Sequence, residues 1–139
     1  MRTASSVYPV LCVTDPRAAA AFFTEHFGFE QTFHTDWYVS LRRDRHELAF
    51  LDHEHPSIPD GFRSPVAGVL LNIEVEDATA EYRRLIDEEG LSARLPLRDE
   101  DFGQRHFIIE APGGFLVDVI EVIPPSTEYD RAYGIASPR

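Results

Sequence analysis

The same local pattern occurs twice in this chain, and the duplication is the strongest constraint on its fold. Each copy has an Asp, then a 12-residue segment, then a Gly, and both copies follow an apolar run typical of a strand. The copies are Asp15, residues 16–27 and Gly28, and Asp77, residues 78–89 and Gly90. Asp can accept hydrogen bonds from the free N–H groups that begin a helix, and Gly suits the left-handed residue that ends one. The copies begin 62 residues apart in a chain of 139, so the sequence predicts an α+β fold of two strand–helix repeats.

Periodicity predicts four strands and one helix in each half of the chain. Apolar side chains at helical spacing give each helix one face to bury. On the first helix these are Ala19, Phe22, Phe23, His26 and Phe27, and on the second they are Ala78, Tyr82, Leu85 and Ile86. The predicted strands are 7–13, 29–34, 37–42 and 46–51, followed by 69–75, 93–97, 104–110 and 115–122. Pro96 predicts that the strand at 93–97 is a short edge strand, because proline has no N–H to give to a sheet.

These elements predict a single domain over residues 1–139, made of two βαβββ repeats. The first repeat spans about 7–51 and the second about 67–122, with a Pro-rich linker over 52–66 between them. A C-terminal tail, 123–139, shows no clear periodicity. One helix covers one face of each curved mixed sheet, so the other face is left open as a cup. We expect two chains to pair as a homodimer and to enclose cup-like cavities at these faces.

Composition argues against several classes of partner. The chain carries 24 acidic and 13 basic residues, a net charge of −11, which would repel nucleic acid and anionic membranes. No apolar run reaches the roughly 20 residues needed to cross a bilayer, and no secretory signal precedes the first strand. Cys12 is the single cysteine, which excludes an internal disulfide and a Cys-rich metal site, and its apolar neighbours favour a buried core thiol over a nucleophile. We therefore expect a cytoplasmic protein with no nucleic-acid or membrane partner.

Several segments, taken in order, resemble the vicinal oxygen chelate superfamily, which includes glyoxalase I, bleomycin-resistance proteins and extradiol dioxygenases. The segments are 10–15, 21–23, 26–29, 103–109 and 112–118. The similarity runs from about residue 7 to about residue 123, and it rests on the order, spacing and duplication of these segments. It implies a fold of paired βαβββ repeats, and it admits both enzymes and binding proteins.

The resemblance also locates the four metal ligands of the enzymes in this superfamily, which are usually His, Glu or His, His, and Glu. The corresponding residues here are Tyr8, Glu47, Leu70 and Asp118. Leu has no donor atom and Tyr is an uncommon ligand for these ions, so only two carboxylates remain. We therefore expect no metal at these positions and no other cofactor. The stretch 52–55, Asp-His-Glu-His, is interpreted as a solvated loop, with adventitious metal binding as the alternative.

Within the superfamily, the chain is most similar to the metal-free, bleomycin-resistance-like proteins, which bind an antibiotic between two subunits. The similarity lies in residues 7–11, 36–44 and 102–105. The predicted ligand-binding residues are Tyr8, Phe33, Trp37, Tyr38, Glu47, Phe102, His106 and Asp118. Alternation along a strand lets only one of Trp37 and Tyr38 point into the cup, and the polar neighbours of Tyr38 favour Tyr38. His106 either lines the pocket or faces solvent.

Two functions remain open. The first is a metal-independent, homodimeric protein that binds an aromatic or cationic antibiotic-type natural product and confers resistance by sequestration. Its aromatic rings would stack on the ligand, and Glu47 and Asp118 would attract a positive charge. The alternative is a lyase, isomerase or dioxygenase-like enzyme that uses Glu47 or Asp118 as a base or metal ligand. No nucleophile motif or phosphate-binding loop occurs, so no catalytic residue is predicted and the first function is favoured.

Overall fold

A computed structural model describes residues 2–130 of the chain, which form two four-stranded sheets and their helices. The strands are β1 Val10–Val13, β2 Glu30–His34, β3 Tyr38–Arg43, β4 His46–Asp52, β5 Leu70–Glu74, β6 Ala93–Glu100, β7 Gln104–Ala111 and β8 Phe115–Val122. The helices are α1 Pro16–His26, α2 Ala78–Tyr82, which continues as a π-helix over Arg83–Glu88, and α3 Thr127–Asp130. The predicted α+β class is confirmed. No helix in this part of the chain is long and apolar enough to cross a membrane.

Both sheets have the same strand order, which repeats the duplication seen in the sequence. The first sheet is ordered β1-β4-β3-β2 and the second β5-β8-β7-β6. In each sheet the strand before the helix runs parallel to the last strand of its repeat, β1 to β4 and β5 to β8. The hairpin neighbours β2 and β3, β3 and β4, and β6 and β7 are antiparallel. Each repeat is therefore a βαβββ arrangement with a mixed sheet, as the sequence predicts.

The described chain divides into two compact units. The first unit contains the chain up to Gly68 together with Ala111–Phe115, and the second contains Val69–Glu110 and the chain from Leu116 onward. The first sheet lies wholly in the first unit, and the second unit holds the second sheet apart from the tip of the β7–β8 hairpin. Each unit therefore carries the elements of one repeat.

The core of the first unit is built from stacked aromatic rings. Asp15 caps α1 as predicted, since its carboxylate accepts a hydrogen bond from the N–H of Ala18 at 3.1 Å. The helix then buries the ring of Phe23 completely against the first sheet. This ring stacks on Phe50 of β4 at 5.6 Å and on Phe115 at 6.1 Å between ring centroids. The three rings fix the face of the sheet that α1 covers.

The second helix differs from the single 12-residue helix that the sequence predicts. Asp77 caps it as expected, by accepting from the N–H of Ala80 at 3.0 Å. After Tyr82, however, the backbone widens into a π-helix, in which the N–H of Glu89 donates to the C=O of Arg84. The Arg84 guanidinium spans the wider turn and bonds Glu81 at 2.6 Å and Glu89 at 2.9 Å. A capping pattern indicates where a helix begins and ends, but it does not report such a change of winding.

Strand β6 is longer than the predicted 93–97 because Pro96 interrupts its pairing without ending it. The register with β7 shifts once before this proline, between Ala93 and Leu95, and once across it, between Leu95 and Arg98. Since β6 lies at the edge of the sheet, the missing N–H of proline leaves no buried partner unpaired.

The start of the predicted tail is ordered against the β6–β7 turn. The N–H of Ile123 donates to the C=O of Gly103 at 3.0 Å, and the N–H of Ser126 donates to the C=O of Asp101 at 2.8 Å. Gly103 is required here for two reasons. Its φ is +109°, a backbone conformation that residues with a side chain rarely adopt, and a Cβ at this position would lie 3.0 Å from the backbone oxygen of Ile123. The remainder of the tail, 131–139, lies outside the described residues.

We predict that Phe23→Ala lowers the free energy of unfolding by about 3–5 kcal/mol, because it leaves a cavity between two buried rings. Urea denaturation followed by circular dichroism measures this change. Phe62→Ala is the matched control, since Phe62 is 73% exposed and its loss removes little buried area. If the Phe23 variant fails to fold, Phe23→Leu should show a smaller loss in the same direction. Equal effects of the Phe23 and Phe62 substitutions would contradict this account of the core.

Candidate functional site

The helix-free face of the first sheet carries the candidate residues of the first unit. Residues of β3 and β4 alternate, so that Val39 and Leu41 turn towards α1 while Tyr38 and Ser40 lie on the opposite face. The pairing of β3 with β4 places Arg42 opposite Glu47 on that helix-free face. Tyr38 therefore lies on the helix-free face of the first sheet.

Tyr8, Tyr38 and Glu47 form a cluster on this face. Burial and the neighbouring Tyr8, through its charge and a hydrogen bond, raise the pKa of Tyr38, and the charge of Glu47 adds to the increase. The carboxylate of Glu47 accepts a hydrogen bond from the hydroxyl of Ser6 at 2.6 Å. Tyr8 keeps 44% of its surface exposed. The cluster therefore presents phenol groups beside a carboxylate that remains open to solvent.

Two further aromatic rings flank this cluster. Phe33 on β2 lies 6.2 Å from Tyr38 and is 56% exposed, and Trp37 lies 6.0 Å from the same ring and is 41% exposed. Trp37 precedes β3 in a bend, so it does not follow the alternation of that strand. One face of its indole stacks on His55 at 4.0 Å and 18°. Tyr8, Phe33 and Trp37 are thus gathered around Tyr38 in the first unit.

A buried ionic cluster occupies the helix-free face of the second sheet. Nδ1 of His106 lies 2.8 Å from the carboxylate of Asp118, and Nε2 lies 2.8 Å from the carboxylate of Glu100. His106 and Asp118 are 5% and 6% exposed. Arg98 donates from Nε to the same Glu100 carboxylate at 2.7 Å. Because both ring nitrogens face carboxylates, the protonated imidazolium satisfies both of them by donating two hydrogen bonds.

The pKa values of His106 and Glu100 are shifted in the directions that favour their charged forms. Burial lowers the pKa of His106, but hydrogen bonds to Glu100 and Asp118 and the charges of both carboxylates outweigh it, so the pKa is raised. Hydrogen bonds from His106 and Arg98 hold the pKa of Glu100 below its usual range. His106 is therefore a buried group with both ring nitrogens engaged by carboxylates, and the alternative that it faces solvent is wrong.

Phe102 lies in the turn between β6 and β7, in the second unit. Its ring meets Tyr129 of α3 edge to face, with centroids 6.2 Å apart at 78°. It remains 38% exposed. The structure thus brings Tyr8, Tyr38 and Glu47 together in one unit and His106 and Asp118 together in the other, with Phe102 at a separate turn.

Sequence reasoning missed the partners of these residues. Glu100 and Arg98 were not considered because the predicted sixth strand ended at 97, before either residue. The observed pairing of β6 with β7 sets Arg98 opposite His106 and Glu100 opposite Gln104. A sixth strand that reached residue 100 would have placed Arg98 and Glu100 on one neighbour of β7, with Asp118 on the other. Two carboxylates and an arginine on the strands beside His106 are the signal of a charged cluster.

Four positions hold a metal ion in the enzymes of the superfamily that this sequence resembles. The residues at those positions in this chain do not fit a metal ion. Leu70, which pairs with Leu116, is 52% exposed and offers no donor atom. The carboxylate of Asp118 already accepts from the His106 imidazolium. Since one position lacks a ligand and another is engaged in a buried ion pair, we derive no reaction step through a metal at these residues.

Comparison with known proteins agrees with this fold. The family model of the Glyoxalase/Bleomycin resistance protein/Dioxygenase superfamily matches residues 5–119. The chain is similar in structure to a lactoylglutathione lyase from Agrobacterium tumefaciens, with a TM-score of 0.67 and 20% identity over 86% of this chain and 96% of that one. It is also similar to the bleomycin-binding protein of bleomycin-producing Streptomyces verticillus complexed with copper(II)-bleomycin, with a TM-score of 0.60 and 23% identity over 86% and 97% of the two chains. These identities show a shared fold. No curated protein sequence matches the chain at a significant level.

We predict that the ionic cluster stabilises the protein in a pH-dependent way. Because the pKa of His106 is raised in the folded state, its contribution is complete below about pH 6.5 and is lost as the pH rises through the raised pKa. Urea unfolding at pH values from 6 to 9 should show this decline, and His106→Gln should flatten it. His34→Gln, at an exposed position on β2, is the control that should keep the wild-type slope. A wild-type slope in His106→Gln would show that the cluster does not carry the pH dependence.

Proposed function

We propose, since this chain belongs to the Glyoxalase/Bleomycin resistance protein/Dioxygenase superfamily, that it is a metal-independent binding protein for an aromatic or cationic small molecule. The observation that carries the proposal is the set of exposed rings around one carboxylate in the first unit. Tyr8, Phe33 and Trp37 are each more than a third exposed, and Glu47 lies beside Tyr8 and Tyr38. Such a group of exposed aromatic side chains marks a surface that binds something.

The chemistry of these residues supports a flat ligand with a positive or hydrogen-bond-donating group. Each stacked aromatic pair contributes roughly 0.5–1.5 kcal/mol beyond the area that it buries. The Glu47 carboxylate adds attraction for a cation, and the net charge of −11 favours the approach of one. Tyr38, whose pKa is raised, stays a neutral phenol that can donate or accept a hydrogen bond.

Sequestration of an antibiotic-type natural product is the biological role that we propose for this binding. The Streptomyces verticillus protein that shares the fold binds bleomycin. A protein that only binds its ligand needs no metal and no catalytic residue, which agrees with the poor fit of Leu70 and Asp118 to a metal site. We further propose that this protein acts in the cytoplasm and as a homodimer, with Phe102, His106 and Asp118 as the ligand-binding residues of the second unit.

Binding can be tested with bleomycin and with ethidium, a planar aromatic cation, by titration calorimetry on the purified chain. We expect saturable binding of at least one of them, with Tyr38→Leu and Glu47→Gln each weakening it by about threefold to tenfold. Phe62→Leu and Glu25→Gln are matched controls, because both side chains are exposed and Glu25 lies on α1, which covers the other face of the sheet. If neither probe binds, or if the controls weaken binding as much as the site variants, the proposal fails.

The alternative function is a lyase, isomerase or dioxygenase-like enzyme, and the contacts leave Glu47 as its stronger candidate base. Glu47 accepts one hydroxyl hydrogen bond and is partly exposed, whereas the carboxylate of Asp118 is buried and lies 2.8 Å from Nδ1 of His106. Mass spectrometry of the ligand after incubation distinguishes the functions. An unchanged ligand supports binding, whereas a product that disappears in Glu47→Gln identifies an enzyme.

We predict that the chain sediments as a dimer of twice its 15.8 kDa mass. Strand β1 lies at the edge of the first sheet; its first residue, Val10, is 38% exposed, and Val7 before it is 89% exposed. An exposed apolar edge can pair with another chain, and a charge there opposes this pairing. Sedimentation equilibrium of Val10→Glu should therefore show a shift towards monomer. A wild-type chain that stays monomeric at high micromolar concentration would contradict the homodimer.

A further inference from the structure

We propose that Asp52, His53 and Glu54 form a binding site for a divalent transition-metal ion such as Zn²⁺, away from the metal positions of the superfamily. Each residue offers one donor atom, and these three atoms all lie within 4.8 Å of one another. One imidazole and two carboxylates are a donor set that zinc accepts, with room for water as a further ligand. This proposal is independent of the small-molecule function, because it concerns other side chains.

The backbone at this site is held by the end of β4. Asp52 is the last residue of that strand and pairs with Val13 of β1. The N–H of His53 donates to the C=O of Val13 at 3.0 Å, which extends the pairing by one residue. The N–H of Glu54 then donates to a carboxylate oxygen of Asp52 at 2.9 Å. The interpretation of this stretch as a solvated loop missed that the strand reaches Asp52 and holds the backbone of Asp52 and His53.

His53 has a ring nitrogen that lacks a partner. Its Nδ1 is buried, and no hydrogen bond reaches it from any of residues 2–130. A buried polar atom left without a partner costs roughly 1–3 kcal/mol. Coordination of a metal ion through this nitrogen would supply the missing partner.

A cation would also relieve the repulsion between the two carboxylates. Asp52 and Glu54 lie two positions apart on the chain, and neither forms an ion pair with a described residue. Zinc with ligand distances of 2.0–2.2 Å holds its donor atoms roughly 3.4 Å apart. The three donor atoms now lie within 4.8 Å of one another, so they must come closer together when zinc binds. Glu54 is exposed and can rotate to do so, while Asp52 and His53 are partly buried and stay in place.

Trp37 provides a built-in reporter for this site. Its C=O accepts a hydrogen bond from the N–H of Asp52 at 2.8 Å, and its ring stacks on His55 at 4.0 Å. It is also the single tryptophan of the chain. A paramagnetic ion such as Ni²⁺ bound by Asp52, His53 and Glu54 would therefore quench the tryptophan fluorescence of the protein, and Zn²⁺ would reverse the quenching by competition.

The test is titration of the metal-free full chain with Zn²⁺ by calorimetry and with Ni²⁺ by fluorescence. We expect about one ion per chain, and we expect His53→Gln to raise the Kd at least about tenfold, as loss of a ligand does more than loss of an outer partner. His46→Gln is the matched control, since His46 is an exposed histidine on the same strand. Asp52→Asn is a second site variant, because it keeps an acceptor for the N–H of Glu54 while it removes the charge.

The outcomes separate a built site from adventitious binding. Circular dichroism first shows that each variant is folded, and Asp52→Asn replaces His53→Gln if the latter is not. Less than about 0.1 ion bound per chain overturns the proposal. Equal metal binding by His53→Gln and His46→Gln also overturns it, because that result identifies adventitious binding by surface histidines. Zinc that is lost in Glu47→Gln and retained in His53→Gln would place the ion at the superfamily's position instead.

Discussion

The covering of one face of each sheet by a single helix determines where chemistry can lie in this protein. In β4, Leu48 and Phe50 are buried on the side of α1, so Glu47 and Ala49 occupy the other side. A shift of one residue in a strand would turn its polar side chains into the core, and the aromatic stacking of the first unit opposes such a shift. In β8, Asp118 lies between Val117 and Val119 in the sequence, and these two valines are fully buried. The same alternation therefore places Asp118 on the opposite face of the sheet from them. Core packing thus fixes which carboxylates reach a helix-free face.

The duplication allows the two helix-free faces to be compared position by position. Tyr8 and Leu70 lie seven residues before the Asp that caps the helix of their repeat, so they are equivalent positions. Neither is a histidine, and the donor that the superfamily's enzymes place there is missing from both repeats. The carboxylates of the two faces have different partners. Glu47 accepts from a hydroxyl and stays partly open, whereas Asp118 is bound to a buried imidazolium. One face keeps an available charge and the other holds a neutralised cluster.

Local signals in the sequence were enough to predict the fold, but not the ionic cluster. Asp15 and Asp77 act as caps because capping depends on the neighbouring backbone alone, which a sequence shows directly. Glu100 could not be paired with His106, because that contact needs the length and register of β6 across an irregular stretch at Pro96. The stacking of Trp37 on His55 likewise depends on where a turn returns to the sheet. Positions set by short-range geometry are thus predictable, and contacts set by register are not.

The exposed rings of the first unit are not explained by folding. Its core is already filled by Phe23, Phe50 and Phe115, which bury their rings almost completely. Tyr8 and Phe33 leave about half of their surface in water, where an aromatic ring adds little to stability. Because hydrophobic burial rewards a ring only when water is excluded, these side chains gain their free energy when a ligand or a second chain covers them. Their substitution should therefore change binding before it changes unfolding, and this separates residues of a recognition surface from residues of the core.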